Sequence, residues 1–158
     1  LTPLRERADM VVDTTAIGPG ELKTILQAQF GSDAKQELTV FVTSFSYRKG
    51  LPREADLVLD VRFLRNPHYE GALREMSGKD EAVGTYIKAD EAFDGFFANL
   101  TQMLTPLMPR FEAEGKSYLT IAFGCTGGRH RSVYVAEQLA KWFDKEGLRA
   151  QINHRDMS

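Results

Sequence analysis

The chain has 158 residues, 42% hydrophobic and 27% charged, with a formal net charge of -2; that suits one domain with part of a second attached, argues against disorder, and supplies no overall basic field to hold nucleic acid. One cysteine, Cys125, excludes an intrachain disulfide and a cysteine zinc cluster. No apolar run reaches the roughly 18 residues of a membrane span and no signal-peptide pattern is present, so a cytoplasmic location without membrane contact is expected. Leu1 in the place of methionine suggests a piece of a longer protein.

In chain order, Ala8–Thr15 reads as a short buried strand ending in polar residues. Pro19-Gly20-Glu21 opens a helix to about Phe30, with Leu22, Ile25, Leu26 and Phe30 on one face. The polar stretch Gly31–Gln36 is the candidate domain boundary. After it, the β-branched run Leu38–Thr43 predicts a strand and Ser44–Pro52 a polar loop. Leu57–Val61 predicts a second strand, apolar on both faces and so expected inside the sheet.

Asn66-Pro67-His68 begins a polar connection lasting to Asp80. From Asp90, Phe93, Phe96, Phe97, Leu100, Leu104, Leu107 and Phe111 recur at helical spacing, and Pro106 is expected to kink or interrupt that helix. Tyr118–Phe123 predicts a third strand, Arg131–Lys145 a helix stopped by Gly147, and Ala150–Asn153 a last short strand. Strands alternating with helices predict an α/β fold, a mostly parallel sheet flanked by helices on both faces.

The stretch Phe123-Gly124-Cys125-Thr126-Gly127-Gly128-Arg129-His130-Arg131-Ser132 lies between a strand and a helix, where open α/β sheets bind ligands. Gly124, Gly127 and Gly128 let the backbone turn and aim N–H groups inward, and the helix start adds more such groups and a positive dipole end. Arg129 and Arg131 offer forked hydrogen bonds to phosphate oxygens. The alternative is a plain glycine turn with solvated arginines. Cys125, five residues, Arg131 and then Ser132 also resembles the signature loop of cysteine-dependent phosphatases, although Gly124 stands where that pattern has histidine and no general-acid aspartate is identifiable.

A second cluster follows the second strand. Asp60 can meet a sugar hydroxyl or amine, or pair with Arg62 or Arg131; His68, beside Asn66, can reach a phosphate or simply occupy a turn. Ser44, Tyr47 and Lys49 belong to a loop expected at the same sheet edge, and His154-Arg155-Asp156 can extend a basic rim. His68, His130 and His154 lack metal-ligand spacing, so no metal is expected.

Four motifs are familiar together: Ser44-Phe45-Ser46-Tyr47-Arg48-Lys49-Gly50-Leu51-Pro52, Asp60 to His68, Ser77-Gly78-Lys79-Asp80, and Gly124 to Val133. In order and spacing they resemble the C-terminal domain of the RapZ family of RNase adapter proteins, from about Leu38 to His154. Ser46 and Arg48 depart mildly, standing where the family usually has glycine and lysine. The resemblance implies a fold like the sugar-phosphate-binding part of phosphofructokinase, with residues 1–36 the tail of an N-terminal P-loop domain plus linker and 37–158 the phosphosugar- and RNA-binding domain. It implies binding of glucosamine-6-phosphate through Asp60, His68, Cys125, Thr126, Gly127 and Arg131, with no catalytic residue. It also implies regulation of small-RNA decay or amino-sugar metabolism, with small RNA, RNase E and copies of the chain as partners. ATP or GTP is expected only on the N-terminal domain, because no G-x-x-x-x-G-K-[ST] occurs in this chain, which therefore needs no cofactor.

Overall fold

The computed structural model describes residue 8, residues 11–30 and residues 38–157. The chain divides into two compact units, Leu1–Lys35 and Gln36–Ser158. In the first, helix α1 spans Pro19–Phe30, as its N-terminal proline predicts. Among the described residues of the expected strand, 8 and 11–15, none is in a strand, and Val11 is 50% exposed. The Asp13 carboxylate accepts from both the N–H and the hydroxyl of Thr15, a local turn that competes with strand pairing. Residues 9 and 10 of that stretch, and the linker 31–36, lie outside the described residues.

The second unit is a four-stranded parallel sheet in the order β2-β3-β1-β4. The strands are β1 Thr39–Ser46, β2 Leu57–Asp60, β3 Tyr118–Cys125 and β4 Ala150–His154. Helices α2, Glu81–Lys88, and α3, Glu91–Ala113, link β2 to β3, while α4, Arg131–Lys145, links β3 to β4. The connection from β1 to β2 contains only the 3-10 turn Tyr47–Lys49.

Strand periodicity places the core. Val40 and Val42 of β1 and Leu119, Ile121 and Phe123 of β3 point to one face and are buried together with Phe93, Leu100 and Leu104 of α3 and Leu139 and Phe143 of α4. All three helices of this unit therefore serve one face, where the sequence predicts both. The other face carries Phe41, Thr43 and Phe45; towards the carboxyl edge Phe45 is buried, while at the far end Tyr118 is 63% exposed. β2 is an edge strand with Val58 41% exposed, so its apolar run does not mark a central strand.

The α3 helix runs unbroken through Pro106 and Pro109. Both prolines are on the exposed side, three residues apart, where water can take the carbonyls they leave unbonded, and Leu100, Leu104 and Met108 keep the buried stripe intact. Helix α2 has only Val83 and Ile87 as buried apolar anchors around Gly84, too short a pattern for periodicity to reveal.

Candidate anion-binding site

Parallel pairing brings the strand ends level. Ser46 is in register with Cys125, Gly124 with Asp60, and Ser44 with His154. The segments that follow these strands meet along one edge, and there they enclose a cavity of about 380 Å³. One wall is Cys125, Thr126, Gly127, Arg129, His130 and Arg131; the other is Asn66, His68, Tyr69, Arg74 and Glu75, with Arg48 reaching in from the β1 side. Glu75 is the one carboxylate among these lining residues.

The loop between β3 and α4 is shaped by close approach. Gly128 has φ +69, and a Cβ there would stand 2.9 Å from the Ser46 nitrogen, so only glycine fits without strain. Its N–H donates to the Cys125 sulfur at 3.2 Å, and that sulfur lies 3.1 Å from the Ser132 hydroxyl. The Ser46 hydroxyl donates to the Thr126 carbonyl at 2.7 Å, fixing the loop to β1. Gly127 differs: its φ is ordinary and a Cβ would meet open space. Gly124 is still in β3, where a Cβ would overlap the Phe45 and Tyr47 rings. The main-chain N–H groups of Thr126, Gly127, Arg129 and His130 have no acceptor among the described residues.

The basic residues of the loop are tied to the opposite wall. Arg129 donates from Nε to the Met76 carbonyl at 2.9 Å and from Nη2 to the Glu75 carbonyl. His130 lies 3.1 Å through Nε2 from the Arg74 carbonyl, and burial pulls its pKa below the ordinary histidine value. Arg131 is 6% exposed; its Nη1 donates to the carbonyls of Arg62 and Leu64 at 2.6 and 3.0 Å. In return the Gly78 N–H donates to the Arg129 carbonyl at 2.9 Å, and a Cβ on Gly78 would fall 2.2 Å from the His130 carbonyl. Three consecutive side chains thus hold a connection that has almost no regular structure of its own.

Asp60 and Arg62 form a forked ion pair, Nη2 to Oδ2 at 2.6 Å, with the Arg62 guanidinium 4.1 Å above the Tyr47 ring. That hydrogen bond from Arg62 holds the Asp60 carboxyl below the usual carboxylate range. Asp156 is buried, which alone would raise its pKa, but hydrogen bonds from Arg155 and the Ser46 N–H outweigh burial and lower it. Lys49 stands 3.7 Å from Asp156. The Ser44 hydroxyl is 2.8 Å from His154 Nδ1, whose Nε2 is 3.0 Å from Glu137.

Of the residues singled out from sequence, Asn66, His68, Cys125, Thr126, Gly127, Arg129, His130 and Arg131 line the cavity together. Gly124, Gly128 and Ser132 stand behind the wall, while Asp60, Arg62 and Tyr47 form a cluster of their own at the same edge. Ser44 and Lys49 are engaged by His154 and Asp156. The sequence does not single out Tyr69, Arg74 and Glu75, because a polar connection without periodicity gives no clue to which side chains turn inward. Arg48 is in a quoted motif, but nothing in its spacing marks it as lining.

The fold and site define the class of an all-parallel α/β domain with a cavity at its carboxyl edge lined by four arginines. Comparison with known proteins narrows the class: the model of the RapZ C-terminal domain matches residues 38–158, and the chain belongs to that family. It is 56% identical over 99% of its length to a protein named a nucleotide-binding protein from Paramagnetospirillum magneticum, and 55% identical over 99% to one so named from Rhodospirillum rubrum, covering 51% and 49% of those proteins. A third, from Rhodospirillum centenum, is 51% identical over 99% of the chain. The chain spans about half the length of the curated relatives it matches. Among the described residues no helix is long and apolar enough to cross a membrane.

Proposed function

We propose that this chain is the metabolite-sensing part of a RapZ-like adapter and receives an amino-sugar phosphate, glucosamine-6-phosphate above all, in the cavity between the 126–131 loop and the 66–75 connection. The observation that carries the reading is the unpartnered N–H row of Thr126, Gly127, Arg129 and His130 in a cationic cavity that also contains one carboxylate, Glu75. The N–H row suits a phosphate, and the carboxylate suits an ammonium group. Binding acts by favouring one arrangement of the chain over another, and so changes what a small RNA, RNase E or another copy of the chain meets. The nucleotide function named for the relatives is assigned to the part of those proteins outside this chain, and the cytoplasm to the whole.

Thermal unfolding with glucosamine-6-phosphate, glucosamine, fructose-6-phosphate and inorganic phosphate tests this. Ligand at 100 times its dissociation constant adds about 2.7 kcal/mol of stability. Gly127→Val is the matched control, since its side chain enters open space beside the loop without backbone strain. A shift with glucosamine-6-phosphate in the wild type and none in Gly127→Val supports the reading; equal shifts for every phosphate reduce it to generic anion binding.

A second reading has its own observation. The Cys125 sulfur accepts the Gly128 N–H and adjoins the Ser132 hydroxyl, an arrangement that would also support a thiolate attacking phosphorus. Steady phosphate release from an aryl phosphate, abolished by Cys125→Ser, would favour it over a sensor.

A further inference from the structure

Four arginines line the cavity, and they are not in the same state. Arg129 donates from Nε and Nη2 to the Met76 and Glu75 carbonyls, while buried Arg131 makes both of its carbonyl bonds, to Arg62 and Leu64, through Nη1 alone. The Arg48 guanidinium has no partner among the described residues; only its main-chain N–H is bonded, to the Ser46 hydroxyl. Arg74 donates from Nε to the His68 carbonyl at 3.1 Å and leaves both terminal nitrogens without an acceptor among the described residues. Both residues are exposed and line the cavity, Arg74 from the 66–75 wall and Arg48 from the β1 side.

From this difference we infer that Arg48 and Arg74 neutralise the bound anion from the exposed side of the cavity, whereas Arg129 chiefly builds the wall that receives it. The inference rests on the reading of this cavity as a phosphosugar site and assigns the charge within it. An ionised phosphate brings up to two negative charges. The loop N–H groups supply partial charge only, and Arg129, bonded to carbonyls through both Nε and Nη2, must give up those bonds to turn its fork towards a ligand. Arg48 and the free end of Arg74 give up nothing but water, and their planar forks match phosphate oxygens. They also bring charge from two segments that follow different strands, the 47–49 turn after β1 and the 66–75 connection after β2. Glu75, next to Arg74, sits where it repels a second anionic group and favours a ligand with an amine.

The test is calorimetric titration of the full chain with glucosamine-6-phosphate and, separately, inorganic phosphate. Wild type, Arg48→Ala, Arg48→Lys, Arg74→Ala and Arg129→Ala are compared, and the melting temperature of each is measured. The expected result is that Arg48→Ala and Arg74→Ala each weaken both ligands about tenfold or more, the usual size for a lost charge-assisted hydrogen bond, with unchanged melting temperature. Arg48→Lys retains most of the affinity, and Arg129→Ala lowers the melting temperature. Wild-type affinity in both Arg48→Ala and Arg74→Ala overturns the inference and leaves the phosphosugar reading standing. If the wild type takes phosphate but not glucosamine-6-phosphate, the phosphosugar reading fails, and the same two variants measured with phosphate still decide the role of the arginines. Failure of the wild type to bind either ligand overturns both.

Discussion

The two walls of the cavity are built in opposite ways. The wall from β3 into α4 is held by its own sequence: a buried strand, a glycine at φ +69 and a helix that begins at Arg131. The wall from Val61 to Asp80 contains one 3-10 turn, Pro67–Tyr69, and is held from outside, by Arg129, His130 and Arg131 donating or turning to its carbonyls. The comparison teaches that a basic residue beside a glycine loop can be a staple before it is a ligand contact. Burial and partner distinguish the two, and neither is written in residue type.

The largest expected effect comes from cutting the staple. Arg131→Ala leaves the Arg62 and Leu64 carbonyls without that donor, at about 1–3 kcal/mol each. A loss of about 3 kcal/mol in urea unfolding is expected, with faster amide exchange in residues 62–65; unchanged stability would mean that the wall holds itself. Next, Gly128→Ala should cost about 2 kcal/mol, from positive φ and the approach to Ser46, while Gly127→Ala stays within about 0.5 kcal/mol. Equal effects at the two glycines would contradict the loop geometry.

The third effect is on pH. The folded His130 pKa lies below its unfolded value of 6.5, so the unfolded chain binds more protons as the pH drops through 6.5. The His130 contribution is therefore present above 6.5 and is lost on acidification towards the depressed folded value. Urea midpoints measured from about pH 7.5 to about 5.5 should decline less steeply in His130→Gln than in the wild type; identical slopes would remove His130 as the cause. The smallest effect expected is on selectivity. Glu75→Gln should reduce the preference for glucosamine-6-phosphate over fructose-6-phosphate several-fold, about 1 kcal/mol for an exposed charge pair, as read by competitive titration.

Much of this is legible in the sequence because two strong local signals coincide there. The β-branched run after Leu38 and the run Tyr118–Phe123 are strands, and the glycines with Arg129 and Arg131 mark the loop between β3 and α4. Three features escape for physical reasons. The exposed face of the sheet depends on where helices pack, and Val58 is apolar whether it is covered or at an edge. Helix α2 buries too few residues to show a period. Arg74 and Glu75 turn into the cavity because Arg129 and His130 pull their carbonyls across it, a relation between residues more than fifty positions apart.

The central claim, that the anion enters against the 126–131 loop, is tested most directly by following backbone amide resonances while glucosamine-6-phosphate is added. The account predicts shifts concentrated at Thr126, Gly127, Arg129 and His130, with smaller ones at residues 66–75. Shifts confined to a different cavity, such as the one between α2 and α4 lined by Lys79, Lys88 and Lys141, would contradict it.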